Sequence, residues 1–205
     1  MKHKNHSFAL GVLLLGIYSP LQAAPKTPSQ PTLNSLAALR KSSVQQLIDT
    51  VEMEAKKPRR SLNDDMRLNA AISLLGDYRA VEAVSFLVKN VDLEANTINL
   101  SLVAFANLPS VNSLIKIGNP SVDAILNYAR QDSEISEHKL RLFAYVIRSI
   151  DGTDVGLYRL QLASKSATGT QKINLLNLID VYNRNESGIE VWKATVEGDN
   201  KPVDQ

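Results

Sequence analysis

Apolar residues recur at three- and four-residue spacing through most of the chain, from about residue 33 to residue 182. This spacing places the apolar side chains on one face of an α-helix, so the pattern predicts helices throughout this part of the sequence. Polar and helix-breaking residues between the apolar runs divide it into nine helices. We place these helices at residues 42–56, 62–76, 79–90, 96–106, 110–117, 120–131, 136–150, 154–165 and 170–183.

Three of the predicted helices begin near a residue pair with the spacing of a capping box, in which side chains satisfy the free N–H groups of the first turn. The pairs are Ser42 with Gln45, Ser61 with Asp64, and Thr168 with Gln171. We therefore expect the first residue of each pair to be an N-cap. Within the apolar runs, four aromatic residues are expected to lie in the core. They are Phe86, Phe105, Phe143 and Tyr145.

The stretch Gly118-Asn119-Pro120 separates two of the predicted helices. Glycine readily adopts the left-handed conformation that ends a helix, asparagine is a favoured N-cap, and proline fits the first helical position. We expect Gly118 to end one helix, Asn119 to cap the next and Pro120 to open it. The stretch is therefore interpreted as a hinge between paired helices and not as a ligand-binding loop.

The same plan occurs three times: an apolar helix end, a turn that contains glycine, and a new helix that opens with valine. The turns contain Gly76, Gly118 and Gly152, and the valines that follow are Val81, Val122 and Val155. The valines are 41 and 33 residues apart, which suits a repeat built from a pair of helices. Such units bury their apolar faces against their neighbours.

This pattern resembles the HEAT-type helical repeats, including their bacterial HEAT-like variety. The segments that carry the resemblance are residues 70–76 with 79–87, residues 114–128 and residues 140–162. It implies an all-α fold, an α-α superhelix or right-handed solenoid of about three recognisable repeats with capping helices. The sequence departs from the pattern at residues 92–106, in an extra residue in the first turn, and at Gly156, which replaces the small alanine of the other copies.

The resemblance also implies that the second helices of successive pairs line a concave, protein-binding surface. Polar residues expected to point outward from these helices are Arg79, Glu82, Ser85 and Lys89 in the first, Asp123, Asn127 and Arg130 in the second, and Asp154, Arg159 and Lys165 in the third. The alternative is a solvated face whose residues pair within each helix. Alignment of the polar residues across the repeats favours binding.

The N-terminus has the features of an export signal. Lys2 and Lys4 precede an apolar run at residues 8–18 and a small-residue exit at residues 21–24. The run is too short to cross a hydrocarbon core of about 30 Å, so we expect cleavage, after Ala23, and no stable membrane insertion. The predicted organisation is a signal peptide at 1–23, a flexible Pro-rich leader at 24–33, a repeat domain at 34–183 and a partly disordered tail at 184–205. The location is periplasmic or secreted.

Loss of the signal removes Lys2 and Lys4 and leaves 21 basic against 21 acidic residues. A neutral chain has no global field that attracts nucleic acid, so we expect no nucleic-acid partner. The basic run at residues 56–60 (KKPRR) is interpreted as a solvated linker. The absence of cysteine excludes disulfides, a thiol nucleophile and a lipid-bearing cysteine.

Few residues offer catalytic chemistry. His138 is the one histidine after the signal, and we expect it at an exposed helix start. No zinc-protease, nucleophile-elbow or phosphate-binding motif occurs. Asp64 and Asp65 are adjacent on a helix and point about 100° apart, so they do not converge as an acid/base pair. We therefore expect no catalytic residue, no metal and no cofactor.

The sequence favours a non-enzymatic, exported scaffold or adaptor that binds another protein of the cell envelope. Two alternatives stay open: an inhibitor or immunity-like binder of a single envelope enzyme, or a small envelope hydrolase or lyase. Trp192 lies beyond the last strong helix and is expected to dock the tail onto the terminal repeat, the alternative being an interaction motif in a free tail. The oligomeric state is left open.

Overall fold

The computed structural model of the chain describes residues 30–95, 108–131, 133–184 and 186. This part of the chain is helical and contains no strand, which confirms the all-α prediction. The helices are α1 (Gln30–Ala55), α2 (Leu62–Asp77), α3 (Val84–Lys89, entered through the 3-10 turn Val81–Ala83), α4 (Pro109–Ile117), α5 (Asn119–Ala129), α6 (Glu137–Lys165) and α7 (Gly169–Asn183).

The helices pack mainly against the next one or two along the chain. α1 packs on α2, α2 on α4, α4 on α6 and α6 on α7, while α3 packs on α4 and α5, and α5 on α6. A single cluster of buried apolar side chains runs through these contacts, from Val51 on α1 through Leu75, Ile125 and Phe143 to Leu178 on α7. Complete burial of such a side chain contributes about 1.5–3 kcal/mol. Packing thus supplies the stability of a chain without disulfides.

One of the three predicted capping boxes is formed. Ser61 is the N-cap of α2, its hydroxyl accepts from the Asp64 N–H at 3.3 Å, and the Asp64 carboxylate accepts from the Ser61 N–H at 2.8 Å. The prediction for Ser42 is wrong because α1 begins at Gln30 and already includes it. Thr168 is an N-cap as predicted, but its side chain makes no capping hydrogen bond.

The prediction that Gly76 lies in a turn is wrong. Gly76 is buried inside α2, where an added Cβ would lie 2.8 Å from the Cα of Ser113, so glycine permits close packing of α2 on α4. The residue that ends α2 with a positive φ is Arg79, at 48°. The Ala80 N–H donates to the Leu75 carbonyl at 2.9 Å and the Arg79 N–H to the Gly76 carbonyl at 2.9 Å, the pattern of a Schellman C-cap. Arg79 therefore precedes the helical segment predicted to contain it.

Gly118 separates α4 from α5, as the sequence predicts, but with different geometry. Its φ of 85° and ψ of −141° form an extended conformation with positive φ, which suits glycine alone, rather than the left-handed helical one. Asn119 is the first residue of α5 and not its cap, and Pro120 is consequently the second residue. A buried hydrogen bond from the Ser121 hydroxyl to the Leu114 carbonyl, 2.8 Å long, ties the two helices together.

The predicted break near residue 152 is a sharp kink inside α6. Gly152 has φ 71° and ψ 176°, and it divides α6 into a first arm (residues 137–151) and a second arm (residues 153–165). The buried Tyr182 of α7 donates its hydroxyl to the Gly152 carbonyl at 2.7 Å. Gly156 lies against the same tyrosine, since an added Cβ would overlap the Tyr182 hydroxyl oxygen. The close approach of α7 thus requires glycine at position 156. In the sequence, Gly156 is only a departure from the repeat pattern.

The interpretation of residues 56–60 as a solvated linker is wrong for two of its four basic residues. Lys57 pairs with Asp64 at 2.7 Å and with the fully buried Glu54 at 2.6 Å. Arg60 pairs with the buried Asp65 at 2.6 Å and donates to the Glu94 carbonyl at 2.5 Å. These contacts fasten the turn between α1 and α2 to both helices.

Several predictions concern residues outside the described part: the signal at 1–23, the leader at 24–29, the helix at 96–106 with Phe105, and Trp192 in the tail. Residues 30–33 of the predicted leader belong to α1. Phe143 is buried in the core, and Phe86 and Tyr145 are partly buried against it. None of the described helices has the length and apolar character needed to cross a membrane.

Candidate functional site

Three of the predicted binding residues meet at one open groove between α3 and α5, here called the α3–α5 groove. Ser85 and Lys89 lie on one side and Asn127 on the other. The groove has a volume of about 430 Å³ and is completed by Val88, Ala124, Tyr128 and Gln131. Its walls thus come from two successive second helices of the predicted repeat.

The floor of the groove is apolar and fixed. Val88 is buried, and Tyr128 packs its ring edge-on against Phe143, with 5.6 Å between ring centroids and 70° between ring planes. The ammonium of Lys139 lies 5.8 Å from the Tyr128 ring centroid and donates to the Lys89 carbonyl at 2.9 Å. These contacts hold the Tyr128 ring and the Lys139 side chain in place.

The rim of the groove is polar and unpaired within the described part of the chain. The side chains of Ser85, Lys89, Asn127 and Gln131 make no hydrogen bond or ion pair with another described residue, and all four residues are exposed. An amide side chain both donates and accepts hydrogen bonds, and a lysine ammonium donates only. The rim can therefore contact an uncharged polar ligand or an acidic one.

Three of the other seven predicted residues form ion pairs within the protein. Glu82 pairs with Arg40 of α1 at 3.1 Å, and the pKa of Glu82 is lowered by its own backbone N–H and by the Arg40 guanidinium. Asp123 pairs with Arg159 at 2.6 Å, and Arg159 also binds the nearly buried carboxylate of Asp151 at 2.9 Å. These side chains join elements of the fold, so a partner that binds them must compete with existing ion pairs.

The remaining predicted residues lie apart from the groove. Arg130 approaches the hydroxyl of Ser166 at 3.5 Å. Arg79 lines a second concavity of about 520 Å³, beside Lys116, Gly118 and Ser149. Lys165 and Asp154 are exposed on the second arm of α6. The predicted face of ten residues is thus divided among several surfaces, of which the α3–α5 groove holds the largest group.

The described residues provide little for metal or acid/base chemistry. Nowhere in residues 30–95, 108–131 or 133–186, apart from 185, do three His, Asp or Glu side chains come close enough to hold a metal ion. His138 is half-buried and not exposed as predicted. Asp64 and Asp65 diverge, as predicted, and each carboxylate binds a different cation, Lys57 and Arg60 respectively.

Sequence reasoning missed four residues of the groove, namely Val88, Ala124, Tyr128 and Gln131. Gln131 is one helical turn beyond Asn127, so helical spacing alone could have included it. Tyr128 is partly buried and Val88 is buried, and the sequence pattern assigns neither to the site. The spacing between two helices decides which apolar residues form the floor of a groove. The residue pattern of one helix does not contain that information.

Comparisons of the chain with protein-family models, with curated proteins and with solved structures found no match. The functional interpretation therefore rests on the residues and contacts described above.

Proposed function

We propose that the protein is an exported, non-enzymatic scaffold that holds a segment of another cell-envelope protein in the α3–α5 groove. The observation that carries the proposal is the groove itself. Three residues that the sequence analysis predicted for a binding face line it, and their unpaired polar groups surround an apolar floor. The neutral charge expected after signal cleavage disfavours nucleic acid as the partner.

A HEAT-like stack is part of this proposal. The succession of contacts from α2 to α4 to α6 and α7, with α3 on α5 and α5 on α6, supports two rows of helices. In such a stack, the groove lies between neighbouring helices of one row. Repeat proteins use extended surfaces of this kind for binding.

The chemistry of the groove suits an extended polypeptide. Asn127 lies in the last turn of α5 and Gln131 just beyond the helix end, and both line the groove, so their amides can bond to backbone groups of a bound strand. The floor formed by Val88, Ala124 and Tyr128 can accept one apolar side chain. Lys89 favours an acidic side chain near it. Lys89 and Tyr128 are the only titratable groups among the described lining residues, an arrangement better suited to binding than to catalysis.

The test compares two double variants. Lys89→Glu with Asn127→Ala changes the groove, and Lys172→Glu with Asn177→Ala makes the same chemical changes at exposed positions on α7. Partners are captured from a cell-envelope extract, identified, purified and titrated against each variant. We expect the groove variant to lose at least about tenfold in affinity and the α7 variant to bind as the wild type does. Equal affinity of both variants for the captured partner would refute the groove.

Export is tested separately, by N-terminal sequencing of the protein isolated from the cell envelope. The proposal expects a mature chain that starts at Ala24. A chain that retains Lys2 and Lys4, recovered with the cytoplasmic fraction, would contradict export and leave the groove measurement unaffected.

A further inference from the structure

The pair formed by α1 and α2 carries large apolar side chains that no other described element covers. On α1 these are Leu36, Leu39 and Met53, with 55, 65 and 57% of their surface exposed. On α2 and its C-cap they are Leu62, Met66, Leu74 and Tyr78, with between 43 and 51% exposed. We call these seven residues the α1–α2 face.

Two contacts show how the two helices lie side by side. Arg40 of α1 donates to the Tyr78 carbonyl at 3.2 Å, and Glu54 of α1 pairs with Arg67 of α2 at 3.1 Å. The helices are therefore antiparallel. Residues next to these contacts are consequently level with one another: Leu39 with Tyr78 near one end, and Met53 with Met66 near the other.

The α1–α2 face contains no charged residue in its two rows. Positions 36, 39, 43, 46, 50 and 53 of α1 hold Leu, Leu, Ser, Gln, Thr and Met. Positions 62, 66, 70, 74 and 78 hold Leu, Met, Ala, Leu and Tyr. The first row has the alternating three- and four-residue spacing of a coiled-coil seam. The second has the four-residue spacing of a ridge that packs between the ridges of another helix.

The first half of α1 adds a stability argument. Every residue from 34 to 42 is exposed, although this half carries Leu36 and Leu39. An isolated helix shorter than about 12–15 residues is marginal in water, and most helical stability in proteins comes from packing of an apolar face. A surface that covers Leu36 and Leu39 would therefore add packing stability to this half of α1.

We propose that the α1–α2 face is the interface of a homodimer, in which α1 and α2 of a second copy cover it. A half-exposed leucine or methionine presents on the order of 90 Å² to water, so the seven residues together present roughly 600 Å². A dimer interface buries about 800 Å² per partner, of which about 65%, or roughly 500 Å², is apolar. The face is large enough to form such an interface, and it reaches the upper end of what monomers expose.

A second copy fits the face because of its charge pattern. In a dimer with two-fold symmetry, the same patch meets itself, so any charge inside the patch would approach an identical charge. The two rows carry no charge, and the arginines that join α1 to α2, Arg40 and Arg67, are each paired with a carboxylate of their own chain. A second exposed apolar surface includes Tyr158 and Leu162 on the second arm of α6, where Asp154 and Lys165 flank it. That surface serves as the matched control.

The first experiment measures the oligomeric state of the intact protein by sedimentation velocity over a concentration series. We expect a dimer at about 10 µM. Leu39→Glu and Met66→Glu should each raise the dissociation constant at least about a hundredfold, because burial of an unpaired carboxylate is unfavourable. Tyr158→Glu and Leu162→Glu, at positions of similar exposure (64 and 54%), should leave it unchanged. Far-UV circular dichroism checks that all four variants are folded.

The second experiment uses the absence of cysteine in the chain. A Gln46→Cys variant places one thiol near the middle of the α1–α2 face, where two-fold symmetry brings it close to its copy, and Lys165→Cys is the control. Mild oxidation should link Gln46→Cys chains at least about tenfold faster than Lys165→Cys chains. The proposal is overturned if the wild type remains monomeric at high concentration, which is the result expected if a different protein or the chain's own tail covers the face. It is also overturned by a dimer that the α6 variants dissociate and the α1–α2 variants do not.

Discussion

Gly156→Ala tests how closely α7 must approach the kink of α6. An alanine Cβ would overlap the Tyr182 hydroxyl oxygen and would lie 2.9 Å from Tyr182 Cζ and 3.0 Å from Ile147 Cγ2. Tyr182 is 1% exposed and cannot swing into solvent without leaving the core. Any movement of its ring also breaks the 2.7 Å hydrogen bond to the Gly152 carbonyl. The substitution therefore disturbs packing and hydrogen bonding at once.

The expected magnitude follows from three contributions. Overpacking of a close-packed core destabilises by about 1–3 kcal/mol. Loss of the Tyr182 hydrogen bond adds about 1 kcal/mol. Alanine is favoured over glycine inside a helix by about 1 kcal/mol, which offsets part of the loss. We expect Gly156→Ala to lower the free energy of unfolding by about 1–3 kcal/mol, although its helix propensity alone predicts a gain.

Urea denaturation followed by circular dichroism at 222 nm measures this change, and a double-mutant cycle with Tyr182→Phe identifies its cause. Phenylalanine lacks the oxygen that the alanine would meet. Gly156→Ala should therefore be less destabilising in the Tyr182→Phe background, with a coupling energy of about 1 kcal/mol or more. A stabilising effect of Gly156→Ala, or two losses that simply add, would refute the described contact.

Two further predictions concern α2. Arg79→Gly should raise the free energy of unfolding by about 0.5–1 kcal/mol in the same urea assay, because the φ of 48° at this C-cap suits glycine and the Arg79 side chain makes no hydrogen bond or ion pair with a described residue; a loss of stability would contradict the assigned cap. The pKa of Asp64 is lowered well below its usual value, first by the hydrogen bond with Lys57 and then by those with Ser61. A lowered folded-state pKa contributes stability that is complete above the unfolded pKa of about 4 and is lost as the pH falls toward the folded pKa. We expect the free energy of unfolding to decrease on acidification below about pH 4, and this decrease to be smaller in Asp64→Asn than in the wild type; identical pH dependence of the two proteins would contradict the role of Asp64.

The sequence predicted the parts of the fold that depend on local chemistry. Apolar spacing indicated helices, and the side chains of Ser61 and Asp64 fixed the start of α2. Gly118 and Gly152 were correctly placed at breaks because both need a positive φ. In each case, the physical cause lies within a few residues of the prediction.

Other features depend on neighbours that are distant in sequence. In the sequence, Gly76 resembles a turn glycine and Gly156 an irregular repeat position. In the structure, each position requires glycine because a residue of another helix approaches closely, Ser113 at Gly76 and Tyr182 at Gly156. The groove illustrates the same limit. Helical spacing predicted both Asn127 and Asp123 as site residues, but the Asp123 carboxylate forms an ion pair with Arg159. Spacing on one helix cannot show which side chains a neighbouring helix will occupy.

The contact between Tyr182 and Gly152 has a consequence for the order of assembly. The kink of α6 is contacted by a phenol that follows it by 30 residues, so a nascent chain that has not yet reached Tyr182 lacks one of the groups that hold the angle between the two arms. The Tyr182 hydroxyl is protonated at neutral pH, and burial raises its pKa further, so it remains a donor into alkaline solution. Docking of α7 therefore adds the Tyr182 contact to the Arg159–Asp151 pair that already spans the kink within α6, and the last described helix helps to set the shape of the one before it.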